Sequence, residues 1–319
     1  MMSHVFSQPS LLDVGRPPRP QAQPATEPSP IAGGQPWPDR FVDGTEPGRA
    51  GILELALRAL ALRAGSTPKR QDGARAAALF LSPSLRTRAS LAAACDALGV
   101  HLTTLSPGRD AWALEMTDGA VMDGDAAEHV REAAGVLSQY ADLLAVRAFA
   151  GLTDLEDDRQ DPTLSAFCRH ADAKVVNLES ALWHPLQGLA DTATWCSHLG
   201  GDLRGKRLTV TWAPHPKALP LAVTNQTLLS AAMHGMDITL AHPRGFEIDP
   251  LVYGRIANRV RSRGGDVRVL HDQQAAMKGA QVVVAKSWGG LPGYDDRALE
   301  AQRRADLGHW CVDERTMSA

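Results

Sequence analysis

Cysteine is scarce: four in 319 residues, Cys95, Cys168, Cys196 and Cys311, and none of them in C-x-x-C spacing. That fits reduced thiols in a cytoplasmic protein better than a disulfide framework or a zinc site. No apolar run approaches the roughly 18 to 20 residues that a membrane span requires, and residues 1–38 contain no apolar signal-peptide core, so neither a membrane nor export is expected. Excess charge is missing as well. Lys plus Arg (33) minus Asp plus Glu (36) leaves −3, which gives no electrostatic footprint for nucleic acid. A small anion must then be held by local geometry. Neither G-x-x-x-x-G-K-[ST] nor G-x-G-x-x-G occurs, which disfavours a kinase or a dehydrogenase.

What is present is 44% hydrophobic residues, enough for a substantial core, over a length that suits one large or two ordinary domains. Residues 16–38 are dense in Pro, Gln, Ala, Ser and Gly and cannot bury enough apolar surface to offset their ordering entropy, so residues 1–38 read as a disordered or PPII-like extension. Order is expected from near Phe41, beginning with an amphipathic helix from Gly51 that carries Leu53, Leu57 and Leu60.

Strand and helix patterns then alternate. Strands are expected at 76–81, 101–105, 142–146 and 174–177, with helices at 89–98, 126–140 and 163–170 between them. A helix over 186–199 leads to a second set: strands at 207–212, 237–241, 267–270 and 281–286, with helices at 221–234, 251–263 and 273–278. This alternation predicts an α/β protein of two parallel-sheet domains with a cleft between them, divided as 39–185 and 186–319.

The densest chemistry lies in Ser82-Pro83-Ser84-Leu85-Arg86-Thr87-Arg88. An apolar strand precedes it and an Ala/Leu-rich helix follows, so it reads as a tight turn into a helix N-terminus, with Ser82 and Ser84 as candidate N-caps and Pro83 suited to the turn. Unpaired backbone N–H groups, the positive end of the helix dipole, the Ser84 and Thr87 hydroxyls and the Arg86 and Arg88 guanidinium groups make a compact site for a phosphate dianion. The alternative is a plain helix start with solvated arginines.

Ser84-Leu85-Arg86-Thr87-Arg88 resembles the S-x-R-T-R carbamoyl-phosphate motif of the aspartate/ornithine carbamoyltransferase superfamily, and further motifs follow in the family's order from about Arg40 to Met317. Arg147, beside the strand 142–146, matches the arginine of V-R-x-F; His184-Pro185-Leu186-Gln187 matches H-P-x-Q. The resemblance implies carbamoyl-phosphate binding by Ser84, Leu85, Arg86, Thr87, Trp112, Arg147, His184 and Gln187. Of these, Arg147, His184 and Gln187 would stabilise the charge that grows on the carbonyl oxygen. Lys286-Ser287-Trp288-Gly289 resembles the K-S-W-G of acetylornithine enzymes and differs from the S-M-G loop of ornithine enzymes.

The same resemblance makes Glu179, Lys217 and Lys286 contacts for an N-acylated ornithine. Without it, lysines at strand ends are ordinarily solvated and an acidic turn such as Met122-Asp123-Gly124-Asp125 is only a loop. Just beyond that turn, where acetylornithine enzymes carry Glu and succinylornithine enzymes Pro, this chain presents Ala127, which leaves the acyl group open. The family implies a homotrimer in which the Trp112 loop reaches a neighbouring site, and no metal or redox cofactor.

The chain stops at Ala319, before the segment resembling the family's H-C-L-P loop and terminal helix; Cys311 precedes Val312-Asp313-Glu314-Arg315 and does not match that loop's cysteine. The expectation is an intact donor half and an incomplete acceptor half. An N-acylornithine carbamoyltransferase of arginine biosynthesis is the first reading. An ornithine- or aspartate-type enzyme, or a catalytically inactive carbamoyl-phosphate-binding relative, is the alternative.

Overall fold

The computed structural model describes residues 37–317. All but the last two residues of the segment expected to be disordered therefore lie outside the described residues. The first sheet comprises β1 (Arg40–Phe41), β2 (Arg75–Phe80), β3 (His101–Leu105), β6 (Leu143–Arg147) and β7 (Lys174–Glu179), in the order β1-β7-β6-β2-β3, every pair parallel. The second comprises β8 (Arg207–Trp212), β9 (Asp237–Ala241), β10 (Val267–Leu270) and β11 (Val282–Lys286), in the order β10-β9-β8-β11, again all parallel.

Helices supply the crossovers. In the first domain they are α1 (Gly48–Arg63), α2 (Arg86–Leu98), α3 (Val130–Tyr140), α4 (Leu155–Gln160) and α5 (Pro162–His170); α6 (Pro185–Leu199) leads into the second, which has α7 (Ala222–His234), α8 (Pro250–Ser262), α9 (Gln273–Met277), α10 (Arg297–Ala305) and α11 (Glu314–Met317). Sheets covered on both faces need apolar strands throughout. In β2 every residue after Arg75 is buried, and in β8 every residue after Arg207.

Each domain has its own core. Leu79, Val130, Leu144, Leu164 and Phe167 fill the first; Trp195, Trp212, Phe246, Ile256 and Trp288 fill the second. Burying one such side chain contributes about 1.5–3 kcal/mol, so two separate cores give each sheet a rigid edge on which to set side chains. The domains join through α6, which packs on α1 and on α7. A Cβ at Gly188 would lie 2.3 Å from Ser230 Oγ, so only glycine permits the close approach of α6 to α7.

Several boundaries differ from expectation. The helix expected over 126–140 begins at Val130, because Glu128–His129 (β5) pairs in parallel with Leu114–Glu115 (β4), and His129 Nδ1 accepts a hydrogen bond from the Arg131 N–H at 3.0 Å. The helix expected from Ala89 begins at Arg86, and Arg147 is the last residue of β6 rather than the first beyond it. Among the described residues no helix is long and apolar enough to cross a membrane.

Candidate active site

In parallel sheets a ligand sits beyond the carboxyl ends of the strands. The edges of β2, β6, β7 and β11 here bring together residues far apart in sequence. After β2, Ser84 Oγ accepts a hydrogen bond from the Thr87 N–H at 3.1 Å, capping the first turn of α2. Ser82, the other cap candidate, instead accepts from the Phe149 N–H at 3.0 Å and ties the turn to the loop after β6. The Leu85 side chain is 86% exposed, leaving its backbone as the part available to a ligand. Arg86 is exposed and has no carboxylate partner among the described residues. Arg88 lies 4.2 Å over the Phe80 ring and donates to Ser106 Oγ, which makes it a support for the turn.

Arg147 is the centre of the arrangement. Its side chain is 8% exposed, its Nη1 lies 2.8 Å from Glu179 Oε2 and 3.4 Å from Thr87 Oγ1, and its guanidinium sits 4.5 Å over the Phe149 ring. Its Nε has no protein partner. Burial pushes the Glu179 carboxyl up, opposed by the Arg147 charge and by Lys286 from the second domain. His184 Nε2 is 3.6 Å from the same Glu179 oxygen, and its buried Nδ1 is unpartnered. Burial, with the Arg147 and Lys286 charges, lowers the His184 pKa to about 4, so the imidazole is neutral at pH 7. A neutral ring can offer an N–H to a carbonyl oxygen without being an acid.

Gln187 lies in the first turn of α6, and its Nε2 donates to Asp191 Oδ1 at 2.8 Å. One of its two N–H groups is thereby directed along the helix and not into the site. Asp191 is fixed by Thr227 Oγ1 at 2.7 Å.

From the second domain, Lys286 ends β11. Burial lowers its pKa, the Glu179 charge acts to raise it, and Arg86 acts to lower it again. Cations of both domains therefore share one field across the cleft. Lys217, in the loop after β8, is exposed; its N–H donates to His215 Nδ1 at 3.0 Å.

Trp112 stands apart. It is 62% exposed, and its Nε1 donates to Glu128 Oε2 at 2.7 Å. Ala127, beside Glu128, lines an open surface groove with Met122, His129 and His170.

Phe149, the aromatic residue of the V-R-x-F match, underlies Arg147. One contributor escaped the sequence reading: fully buried Asn177 shapes the loop from β7 to α6, its Nδ2 donating to Val42 O at 2.8 Å and Trp183 O at 3.1 Å, while its Oδ1 accepts from the Glu179 N–H at 2.9 Å. No local pattern marks an asparagine at a strand end for that role. Among the described residues no three His, Cys, Asp or Glu side chains are grouped as metal ligands would be.

Residues 42–197 match the sequence model of the aspartate/ornithine carbamoyltransferase carbamoyl-phosphate-binding domain, and residues 221–319 match that of the aspartate/ornithine-binding domain. The chain belongs to the aspartate/ornithine carbamoyltransferase family. Within it, the chain is 39% identical over 280 residues to the N-acetylornithine carbamoyltransferase of Xanthomonas campestris pv. campestris, covering 87% of this chain and 82% of that one. The N-succinylornithine carbamoyltransferase of Bacteroides fragilis is 34% identical over 240 residues, 75% of this chain and 70% of that one. A solved acetylornithine transcarbamylase in complex with acetylcitrulline superposes with a TM-score of 0.84 at 39% identity, covering 88% of this chain and 84% of that one. The two-domain α/β fold described above is the fold of this carbamoyltransferase family.

Proposed function

We propose that this chain transfers the carbamoyl group of carbamoyl phosphate to the δ-amine of an N-acylated ornithine, with N-acetylornithine as the acceptor, releasing phosphate and an N-acylcitrulline for arginine biosynthesis. The observation that carries this reading is the meeting of Arg147, Glu179 and His184 at the first sheet's edge, next to the phosphate turn, with Lys286 facing them from the second. Residues 39–185 are the donor-binding half and 186–319 the acceptor-binding half.

The phosphate lies on Ser84, Leu85, Arg86 and Thr87. Trp112 from a neighbouring subunit completes this donor pocket, so the assembly is a homotrimer. Its exposure on its own subunit supports that role. Arg147, the neutral His184 and the free N–H of Gln187 surround the carbamoyl oxygen, where negative charge grows as the amine attacks. Lys286 and Lys217 hold the acceptor's α-carboxylate. Glu179, placed between Arg147 and Lys286, contacts the acceptor where the two halves meet. The neutral δ-amine forms the N–C bond, the C–O bond to phosphate breaks, and the departing phosphate takes the amine proton. Positioning and charge stabilisation do the work, with no separate general base.

The test is turnover of labelled carbamoyl phosphate by the purified chain, with N-acetylornithine, N-succinylornithine, ornithine and aspartate offered separately. Carbamoylation of an N-acylornithine is expected. Product from ornithine or aspartate alone would overturn the acceptor assignment, and no product from any of the four would overturn the enzymatic one. Sedimentation in parallel should give a trimer; a monomer at all concentrations would remove the role given to Trp112.

A further inference from the structure

The segment after Arg147 and the segment after Lys286 belong to different domains and meet beside the cleft. Between them lies a cavity of about 260 Å³ bordered by Leu152, Leu219, Gly289, Gly290 and Tyr294, so packing alone does not set their spacing. Leu152 has φ 54°, in the left-handed region that a side chain with a Cβ resists. Polar contacts hold it there from both sides.

Asp158, 6% exposed on α4, accepts the Gly151 N–H at 2.7 Å and the Leu152 N–H at 2.9 Å. The Arg297 guanidinium of the second domain donates to Leu152 O at 2.7 Å, and the Tyr294 hydroxyl donates to Asp158 Oδ2 at 2.8 Å. The second domain has the matching arrangement. Glu300, 3% exposed on α10, accepts the Gly290 N–H at 3.1 Å and pairs with Arg304 at 2.6 Å. A buried carboxylate thus grips the loop that follows the site cation in each domain.

We propose that Asp158, Tyr294 and Arg297 form an interdomain latch that sets the spacing between the Arg147 edge and the Lys286 edge, and that Tyr294 is a positioning residue for acceptor binding. The second half of this statement rests on the assignment of Lys286 to the acceptor. Carbamoyl phosphate touches the phosphate turn and Arg147, on one side of the latch only, whereas the acceptor must reach both sides. Loosening the latch therefore weakens the acceptor and spares the donor.

Tyr294→Phe removes one hydroxyl and keeps the ring; Arg297→Met, at an exposed position, removes the second tie without opening a core. In full-length protein each is compared with wild type for the acceptor KM, for carbamoyl-phosphate affinity by calorimetry, and for amide exchange at Gly151 and Leu152. Loss of a hydrogen bond to a carboxylate predicts an acceptor KM about tenfold higher for Tyr294→Phe, donor affinity within about twofold, and faster exchange at both amides. An unchanged acceptor KM, or a raised KM with unchanged exchange, would overturn the positioning role. Were wild type to leave N-acetylornithine uncarbamoylated, the acceptor reading would fall while exchange still decides the latch: faster in the variants upholds it, unchanged refutes it.

Discussion

The two sheet edges that face the cleft are built differently. On the first, Arg147 is buried, paired with Glu179, stacked on Phe149 and in reach of Thr87, so its position is fixed before any ligand arrives. On the second, Lys217 is exposed in a loop, and Lys286, partly buried, has no ion-pair partner among the described residues, its charge opposed by burial. A phosphate-bearing donor common to a whole family suits a rigid, preorganised pocket. An acceptor that varies between branches suits lysines without a fixed partner, one in a loop and one at a strand end, which adapt at a cost in ordering.

The contrast breaks most visibly at Arg147. Arg147→Ala would leave Glu179 buried without its cation, and removing one partner of a buried pair costs about 3–5 kcal/mol. Urea unfolding should show a loss of that order, and calorimetry a loss of carbamoyl-phosphate binding. Lys286→Met should do neither, since burial already disfavours the lysine's charge. Equal destabilisation by the two variants would mean that the edges are built alike.

The parts of this architecture that were legible in the sequence are those written locally. The strand, Ser84 cap and helix start around residues 82–88 follow within about a dozen residues, and β2 and β8 read as apolar runs. What escaped depends on distant partners. β1 is two residues long and exists because Arg40 and Phe41 pair with Val175 and Val176. α10 reads Arg-Ala-Leu-Glu-Ala-Gln-Arg-Arg-Ala, with no apolar stripe, because the face it buries carries Glu300 and Arg304, which pair with each other while Glu300 also accepts the Gly290 N–H. The Arg147–Glu179 pair joins two strand ends that only the parallel register brings side by side. Gln187 was identified by motif, and its turn toward Asp191 is an i,i+4 contact within α6; the distant part is Thr227 of α7, whose hydroxyl donates to that same Asp191 carboxylate.

A second test uses pH. His184 has its pKa lowered to about 4, so its contribution to stability is complete above the unfolded value near 6.5 and is lost as pH falls toward about 4. Asp161, raised by burial to about 6, works in the opposite sense, losing stability as pH rises toward that value. The difference between wild type and His184→Gln isolates the imidazole: the wild-type advantage should shrink by roughly 3 kcal/mol between neutral pH and about pH 4. A constant difference would show that the edge tolerates a charged His184. Smaller again is Arg86→Ala at the exposed mouth of the turn. It should weaken carbamoyl phosphate by about 10- to 100-fold while stability stays within about 0.5 kcal/mol. Retained affinity would remove the phosphate assignment.

The smallest effect is expected at Lys217. An exposed ion pair is worth about 0–1 kcal/mol, so Lys217→Ala should raise the acceptor KM less than about fivefold. That rise should fade as salt screens the exposed charge. Lys286→Met, at a partly buried strand end facing Glu179, should raise the same KM about tenfold or more with weaker salt dependence. Acceptor KM for both variants at low and high ionic strength separates the two cases. If Lys217→Ala matched Lys286→Met at high salt, the loop after β8 would have to close over the acceptor and bury its lysine. The acceptor edge would then become as ordered as the donor edge once filled, and the difference between them would be one of timing and not of construction.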